Sequence, residues 1–370
     1  MSLRRLFIKL STSLQDKLRT HTHLFVSLGL LSVLPVPMGA HAEVAFSYND
    51  WQVACDNTLT CRLAGYQSEN NGGMPVSVLL TRKAGKNAVT TGQVKLGGTK
   101  DSSAKALMQL GNRHRITMRL NGKDMGELRP TDESGASELT RTQVDALVKA
   151  LRGSSTIEFV FRNSRWQLSD KGANAVMLKA DDAQGRVGTN SAFINPNANT
   201  SSNNVLSPRA TPVLHQVKPS GKDNTRKFSI KTAELARIIK NGTKNADDTC
   251  PNLMDDSAWR INRLNSQQLL VQHSCWLGAY NAGTGMWVIN DSKPYQPVMV
   301  TDAATSYDAG VISADQKGRG IGDCYSSTQW VWTGQRFEKS YESSTGMCRL
   351  VEAGGAWDLP TFVTQVNSMP

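Results

Sequence analysis

The chain has 370 residues, with 42 Lys and Arg against 31 Asp and Glu and a formal net charge of +11. That length predicts about two domains, each large enough to bury its own core. Removing a leader that carries five Lys/Arg and one Asp leaves a net charge of +7, without the dense basic stripe of a nucleic-acid binder.

The first 42 residues read as a secretory signal. Arg4, Arg5, Lys9, Lys17 and Arg19 form a basic front, Leu24 to Val36 is a short apolar run, and Ala40-His41-Ala42 is a small-x-small cleavage site. A spanning helix needs about 20 apolar residues, and this run is shorter and interrupted by Pro35 and Pro37. Cleavage is expected after Ala42, into the periplasm. No later stretch is apolar enough to span a bilayer, and the cleavage position has no lipoprotein cysteine.

The part from 43 to 193 reads as a β-rich domain with one helix. Ile116-Thr117-Met118-Arg119-Leu120 alternates apolar and polar residues and meets Asn121-Gly122, the strongest short hairpin signal. Ile157, Phe159 and Phe161 mark a second one-sided strand. Between them, Thr140 and Gln143 have capping-box spacing and Leu139 and Val144 suit a hydrophobic staple. Val144, Leu147, Val148 and Leu151 then share a helix face, and Gly153 can end it.

Residues 194–226 read as a flexible linker. They are rich in Asn, Ser, Thr and Pro and too poor in apolar surface to offset their ordering entropy. Val205, Leu206, Val213 and Leu214 are exceptions that can dock on a domain.

The part from 227 to 370 opens with a short helix on which Leu235, Ile238 and Ile239 share a face and Gly242 is a stop. Short strands with glycine turns follow, at Gln267–Cys275 and Met286–Asn290, with a hairpin expected around Trp330–Phe337.

All six cysteines lie beyond the leader. Six allow 15 pairings, but the linker removes most of them. Cys55 and Cys61 are alone in the first part and pair with each other if it folds independently. In the second part the sequentially nearest choice is Cys250–Cys275 and Cys324–Cys348. Redox enzymes use Cys-x-x-Cys, which is absent, and His273-Ser274-Cys275 lacks the partner pair of a zinc site, so the cysteines read as structural and no metal or cofactor is expected.

No catalytic constellation is legible. His114 sits between arginines, His215 lies in the linker and is expected exposed, and His273 on a strand reads as half-buried core. Ser102-Ser103-Ala104-Lys105 matches Ser-x-x-Lys without its companion motifs, and there is no Gly-x-Ser-x-Gly elbow. Two features stand out. Lys317, Gly318, Arg319, Gly320, Gly322 and Asp323 form a basic glycine-rich loop that is a candidate anion or ligand seat, the competing role being a tight turn into a cysteine-bearing strand. Aromatic residues crowd the second part, and Trp330, Trp332 and Tyr280 are a candidate stacking surface, although such residues also build small β-rich cores.

The run Asp50-Trp51-x-x-x-Cys55-Asp56-Asn57-Thr58-x-Thr60-Cys61-Arg62-x-Ala64-Gly65-Tyr66 resembles the opening of an uncharacterised exported family of Gram-negative bacteria, domain-of-unknown-function family eleven-seventy-six. The resemblance continues through Leu80-x-Arg82-x-Ala84-Gly85, Gly172-Ala173, Asp181 with Gln184-Gly185-Arg186-x-Gly188-Thr189, and Gly278-Ala279-Tyr280-Asn281. It closes with Gly318-Arg319-Gly320-x-Gly322-Asp323-Cys324, Trp330-x-Trp332-x-Gly334-x-x-Phe337, Cys348-Arg349 and Leu359-Pro360-Thr361. One departure is Tyr325, where the family pattern has glycine after Asp-Cys. The first half also faintly resembles invasion-associated locus B proteins. The resemblance implies export, two parts and disulfides, and no catalytic residues.

The expectation is therefore a mainly β protein with minor α, built as two sandwich- or barrel-like, disulfide-stapled domains on a flexible linker. Its expected role is non-catalytic, binding a ligand, an envelope polymer or a periplasmic protein. A hydrolase acting on an envelope polymer, using Asp302, Asp308 or Asp323, is the alternative, and a structural or stress-related periplasmic protein the third.

Overall fold

The computed structural model describes residues 44–69, 73–98, 115–128, 135–194, 196–197, 199–220 and 230–368. The expected leader, Ser102, Lys105, His114 and the last residues of the expected linker lie outside the described residues.

The N-terminal half is built on two antiparallel sheets. Strands β1 (Val44–Tyr48), β2 (Trp51–Cys55), β3 (Cys61–Tyr66), β4 (Val76–Arg82) and β5 (Thr90–Leu96) follow one another as a meander. The second sheet holds β6 (Thr117–Leu120) and β7 (Lys123–Glu127), while β8 (Ser137–Glu138) returns to the free edge of β5. Strands β9 (Ile157–Phe161) and β10 (Ser164–Leu168) complete the second sheet in the order β10-β9-β6-β7. Asn121 and Gly122 turn β6 into β7 with φ of 50° and 79°, the left-handed pair that a tight hairpin needs. The facing sides close over one core that includes Trp51, Leu63, Leu80, Met118, Phe159 and Trp166.

Helix α1 (Arg141–Ala150) starts at the expected capping box. Thr140 Oγ1 accepts from the Gln143 amide and Gln143 Oε1 accepts from the Thr140 amide, and Val144, Leu147 and Val148 are buried. The expectation of one helix is corrected by α2 (Ala173–Ala183). Its N-cap, Gly172, offers no capping side chain, so the sequence carries no start signal. Tertiary packing holds it instead, with Ala173, Val176, Met177 and Ala180 fully buried. Gly172 has φ of 96°, and a Cβ there would fall 1.8 Å from the Tyr48 carbonyl oxygen.

The expected linker contributes β11 (Val213–Gln216), and 206–217 is anchored by backbone bonds on both sides. The Leu206 amide donates to Gln184 O at 3.0 Å and the Val217 amide to Trp332 O at 2.8 Å. The second half opens with α3 (Thr232–Gly242), ending at the expected glycine, and the short α4 (Ala246–Thr249). These helices pack on an antiparallel sheet of β12 (Arg260–Arg263), β13 (Gln268–Leu277), β14 (Ala282–Asn290) and β15 (Val298–Ala304). A five-stranded sheet follows, made of β16 (Ser306–Asp308), β17 (Val311–Lys317), β18 (Tyr325–Trp332), β19 (Phe337–Ser344) and β20 (Leu359–Val363). The expected hairpin is β18–β19, turning at Gly334 with φ of 93°. The last strand, β21 (Gln365–Ser368), pairs in parallel with β11. None of the described sheets closes into a barrel.

All three expected disulfides form: Cys55–Cys61, Cys250–Cys275 and Cys324–Cys348. The halves share a core, in which Ala54, Ala64, Tyr66 and Leu79 pack with Val351, Ala356, Trp357 and Leu359. Trp357 Nε1 donates to Ser77 Oγ across this contact at 2.7 Å.

Candidate functional site

The glycine-rich loop joins β17 to β18 and is closed by its own backbone. The Gly318 amide donates to Cys324 O at 2.8 Å and the Gly322 amide to Arg319 O at 3.0 Å. Asn281 clamps its start, accepting from the Lys317 amide and donating to Lys317 O, both at 2.9 Å, while Tyr280 Oη donates to Gly318 O at 3.3 Å. The Lys317, Gly318 and Gly322 amides are thus engaged within the fold. Arg319 is committed as well: its Nε and one terminal amine grip Asp323 at 2.7 and 2.5 Å. Asp323 is buried and also accepts from the Leu350 amide at 2.7 Å. Burial pushes its carboxyl up, but the Arg319 and Leu350 donors outweigh that and hold it below the ordinary carboxylate value. Asp323 and the sulfurs of Cys324 and Cys348 lie within 4.8 Å of one another, but disulfide sulfurs lack the thiolate charge a metal needs.

The candidate aromatic residues do not form one surface. Trp330 and Trp332 are two apart on β18 and face the same way, into a cluster with Leu264, Met286 and Ile312. Trp332 is buried, with its ring 5.2 Å from that of Phe337, while Tyr280 is exposed beside the glycine loop. The carboxylates of the hydrolase alternative sit on separate elements, Asp302 on β15 and Asp308 on β16, with Asp323 bound to Arg319. His215 is exposed on β11. His273 is buried rather than half-buried, 4.5 Å from the Trp259 ring, with Nδ1 donating to Ser274 O at 2.8 Å.

Charged groups do converge where the two halves meet. The Cys324–Cys348 bridge fixes the start of the segment that presents Arg349, whose side chain is only 10% exposed. One terminal amine of Arg349 lies 3.0 Å from Asp50 in the β1–β2 turn, and its carbonyl accepts from Gln67 Nε2 at 2.7 Å. Gln67 Oε1 in turn accepts from the Val76 amide at 3.0 Å, which fixes the side chain. The second terminal amine of Arg349 has no hydrogen-bond partner, and the nearest carboxylate, Glu69, is 3.5 Å away. Tyr66 braces the segment from below, its hydroxyl accepting from the Met347 amide at 3.2 Å, and burial pushes its phenol far up. Gln67, Glu69, Arg319, Arg349 and Leu350 line a cavity of about 90 Å³. It shares Gln67, Ser68 and Gly73 with a hollow of about 440 Å³ that runs on to Gln167–Lys171.

Of the candidate loop and aromatic residues, Arg319 alone lines this cleft among the described residues; Asp323 supports it through Arg319 and Leu350. Gln67 and Glu69 carried no sequence signal, and Asp50 and Arg349 appeared only as parts of family-like runs. A second charged network is fully internal. Arg82, Asp181, Gln184 and Arg186 are all buried and bonded to one another, and the Arg82 guanidinium lies 3.5 Å from the Phe193 ring centroid. Burial holds both guanidiniums below their ordinary value, with Asp181 opposing the shift.

The model of the family described as "Protein of unknown function (DUF1176)" matches residues 45–364. The uncharacterised protein YpfG of Escherichia coli (strain K12) is 22% identical, over 89% of this chain and 96% of its own. The fainter likeness to invasion-associated locus B proteins gains no support from these matches. No solved structure matches.

Proposed function

Because the chain belongs to the DUF1176 family of unknown function, we propose from its own architecture that it is an exported periplasmic protein with a non-catalytic, ligand-binding role at the envelope. Three disulfides suit an oxidising compartment. The observation that carries the binding role is Arg349. Its side chain is nine-tenths buried, anchored on one edge by Asp50, with an unpartnered donor beside a cavity built by both halves. Fixed, desolvated donors of this kind recognise ligands by geometry. Binding is favoured over hydrolysis because both buried carboxylates at the cleft are committed to an arginine, Asp50 to Arg349 and Asp323 to Arg319, and Asp323 is held ionised with no proton to give a leaving group. Its partner is an envelope polymer or a periplasmic protein.

The test has two arms. Fractionation of cells expressing the full chain should recover it in the periplasm beginning at Glu43, and recovery uncleaved in the cytosol overturns export. Material retained from envelope extract by the wild-type protein should be lost from Arg349→Met, as read by mass spectrometry. Turnover of peptidoglycan by the pure protein overturns the non-catalytic role.

A further inference from the structure

We infer that the Arg349 cleft is a receptor for a carboxylate, the free C-terminus of a peptide, and that Glu69 holds that place in the free protein. This deepens the binding role proposed above and rests on it.

A guanidinium offers five donors in a rigid fork that matches a carboxylate. Asp50 takes one terminal amine of Arg349, and the other is covered from water yet makes no hydrogen bond. Leaving a buried charged donor unpaired is unfavourable, and such a donor gains most from a ligand that completes it. Glu69 is the group beside it, but 3.5 Å is too long for a hydrogen bond, and the Glu69 side chain is 71% exposed. It is thus a carboxylate near the right place, held loosely and free to swing into solvent. Arg319 lines the same cavity and is drawn to the same carboxylate. Each arginine has its own fixed counter-ion, Asp50 for Arg349 and Asp323 for Arg319. Glu69 is the third, exchangeable negative charge. A ligand carboxylate replacing it leaves the charge of the cluster unchanged and closes the fork of Arg349.

The adjoining hollow points to a peptide. It passes along Gln167 and Leu168 at the end of β10, an edge strand of its sheet among the described residues, while the Ser169 and Lys171 main chain beyond it is already bonded to Tyr66, Trp51 and Asp50. Main-chain amides and carbonyls at a sheet edge recognise extended peptide. Among the described residues no aromatic ring lines either cavity to seat a sugar face. A volume of about 90 Å³ has room for a carboxylate.

The experiment titrates the full-length mature protein, disulfides intact, with N-acetyl-trialanine, its C-terminal amide, glucuronate and inorganic phosphate. The peptide acid should bind at least about tenfold more tightly than its amide, since a charged hydrogen-bond pair is lost. Glu69→Gln should tighten the acid by about threefold, the worth of an exposed ion pair, and no folding defect mimics a gain of affinity. Arg349→Lys keeps the charge facing Asp50 and loses the fork, so it should weaken the acid by about tenfold with its thermal transition retained. Equal binding of acid and amide, no effect of Glu69→Gln, or glucuronate or phosphate binding as tightly as the peptide acid would each overturn the inference. If no probe binds but envelope material is still retained in an Arg349-dependent way, the carboxylate falls and the binding role stands. Retention indifferent to Arg349 removes both.

Discussion

Asp181 shows how a single buried charge is kept. Its Oδ1 accepts from Arg82 at 2.7 Å and from the Phe193 amide at 3.0 Å, and its Oδ2 accepts from the Ile194 amide at 2.9 Å. Gln184 then bonds Arg82, Arg186 and the Leu59 carbonyl, so the charges deep in the first half are satisfied. Asp181→Ala strands Arg82 in the interior and should cost about 3–5 kcal/mol, read from the shift of the denaturant midpoint. Asp323 makes a pH-dependent prediction. Its folded carboxyl titrates below the ordinary value, so it adds stability above about pH 4 that is lost as pH falls through its lower folded value. Asp323→Asn should therefore flatten the acid limb of a stability–pH curve and leave the neutral region parallel to wild type. Neither network was legible in the sequence. Arg82, Asp181 and Arg186 appeared only within family-like runs, because nothing local says that residues 99 apart share a cavity.

Elements were legible where their ends carry local chemistry. The Thr140 capping box, the Asn121-Gly122 hairpin and the one-sided strand at Ile157 each depend on residues within a few positions, and each formed. Helix α2 was missed because it begins at a glycine and is held from outside. The paired tryptophans of β18 were read as core or stacking surface: their alternation shows that they share a face, and only tertiary structure shows Trp332 buried and Trp330 half-buried in one cluster. Thr140→Ala should lower stability by about 1 kcal/mol in chemical denaturation, with the fold unchanged. The disulfides should rank by the loop each closes. Replacing Cys250–Cys275 or Cys324–Cys348, spanning 25 and 24 residues, by serine pairs should cost about 3 kcal/mol, against about 2 for the six-residue Cys55–Cys61 loop. Equal losses for all three, measured in the same denaturant series, would show that strain rather than loop closure sets their worth.

For the whole molecule, composition suggested two parts and a flexible tether, and the question is whether either part is stable alone. Trp357 sits in the core shared with Ala64 and Leu79, bonded to Ser77 and covered by Lys95, whose ammonium lies 5.4 Å from its ring centroid. Trp357→Ala should cost about 3–5 kcal/mol. Since that core belongs to both halves, calorimetry should show one unfolding transition that moves as a whole; a second, unshifted transition would mark an autonomous N-terminal domain. The cleft was out of reach of sequence for the same reason. It is made where Asp50, Gln67 and Arg349, from opposite ends of the chain, are brought together by that packing.

The parallel ladder of β11 and β21 bears on how the chain is made. It hydrogen-bonds two segments far apart in the polypeptide, from Val213 with Gln365 to Gln216 with Ser368. Synthesis proceeds from the amino end, so the first half emerges with the apolar side around Ala64 and Leu79 bare, and it stays uncovered until Val351 and Trp357 follow. A chain truncated before residue 351 would therefore be left with that apolar side exposed, sticky and half-dressed.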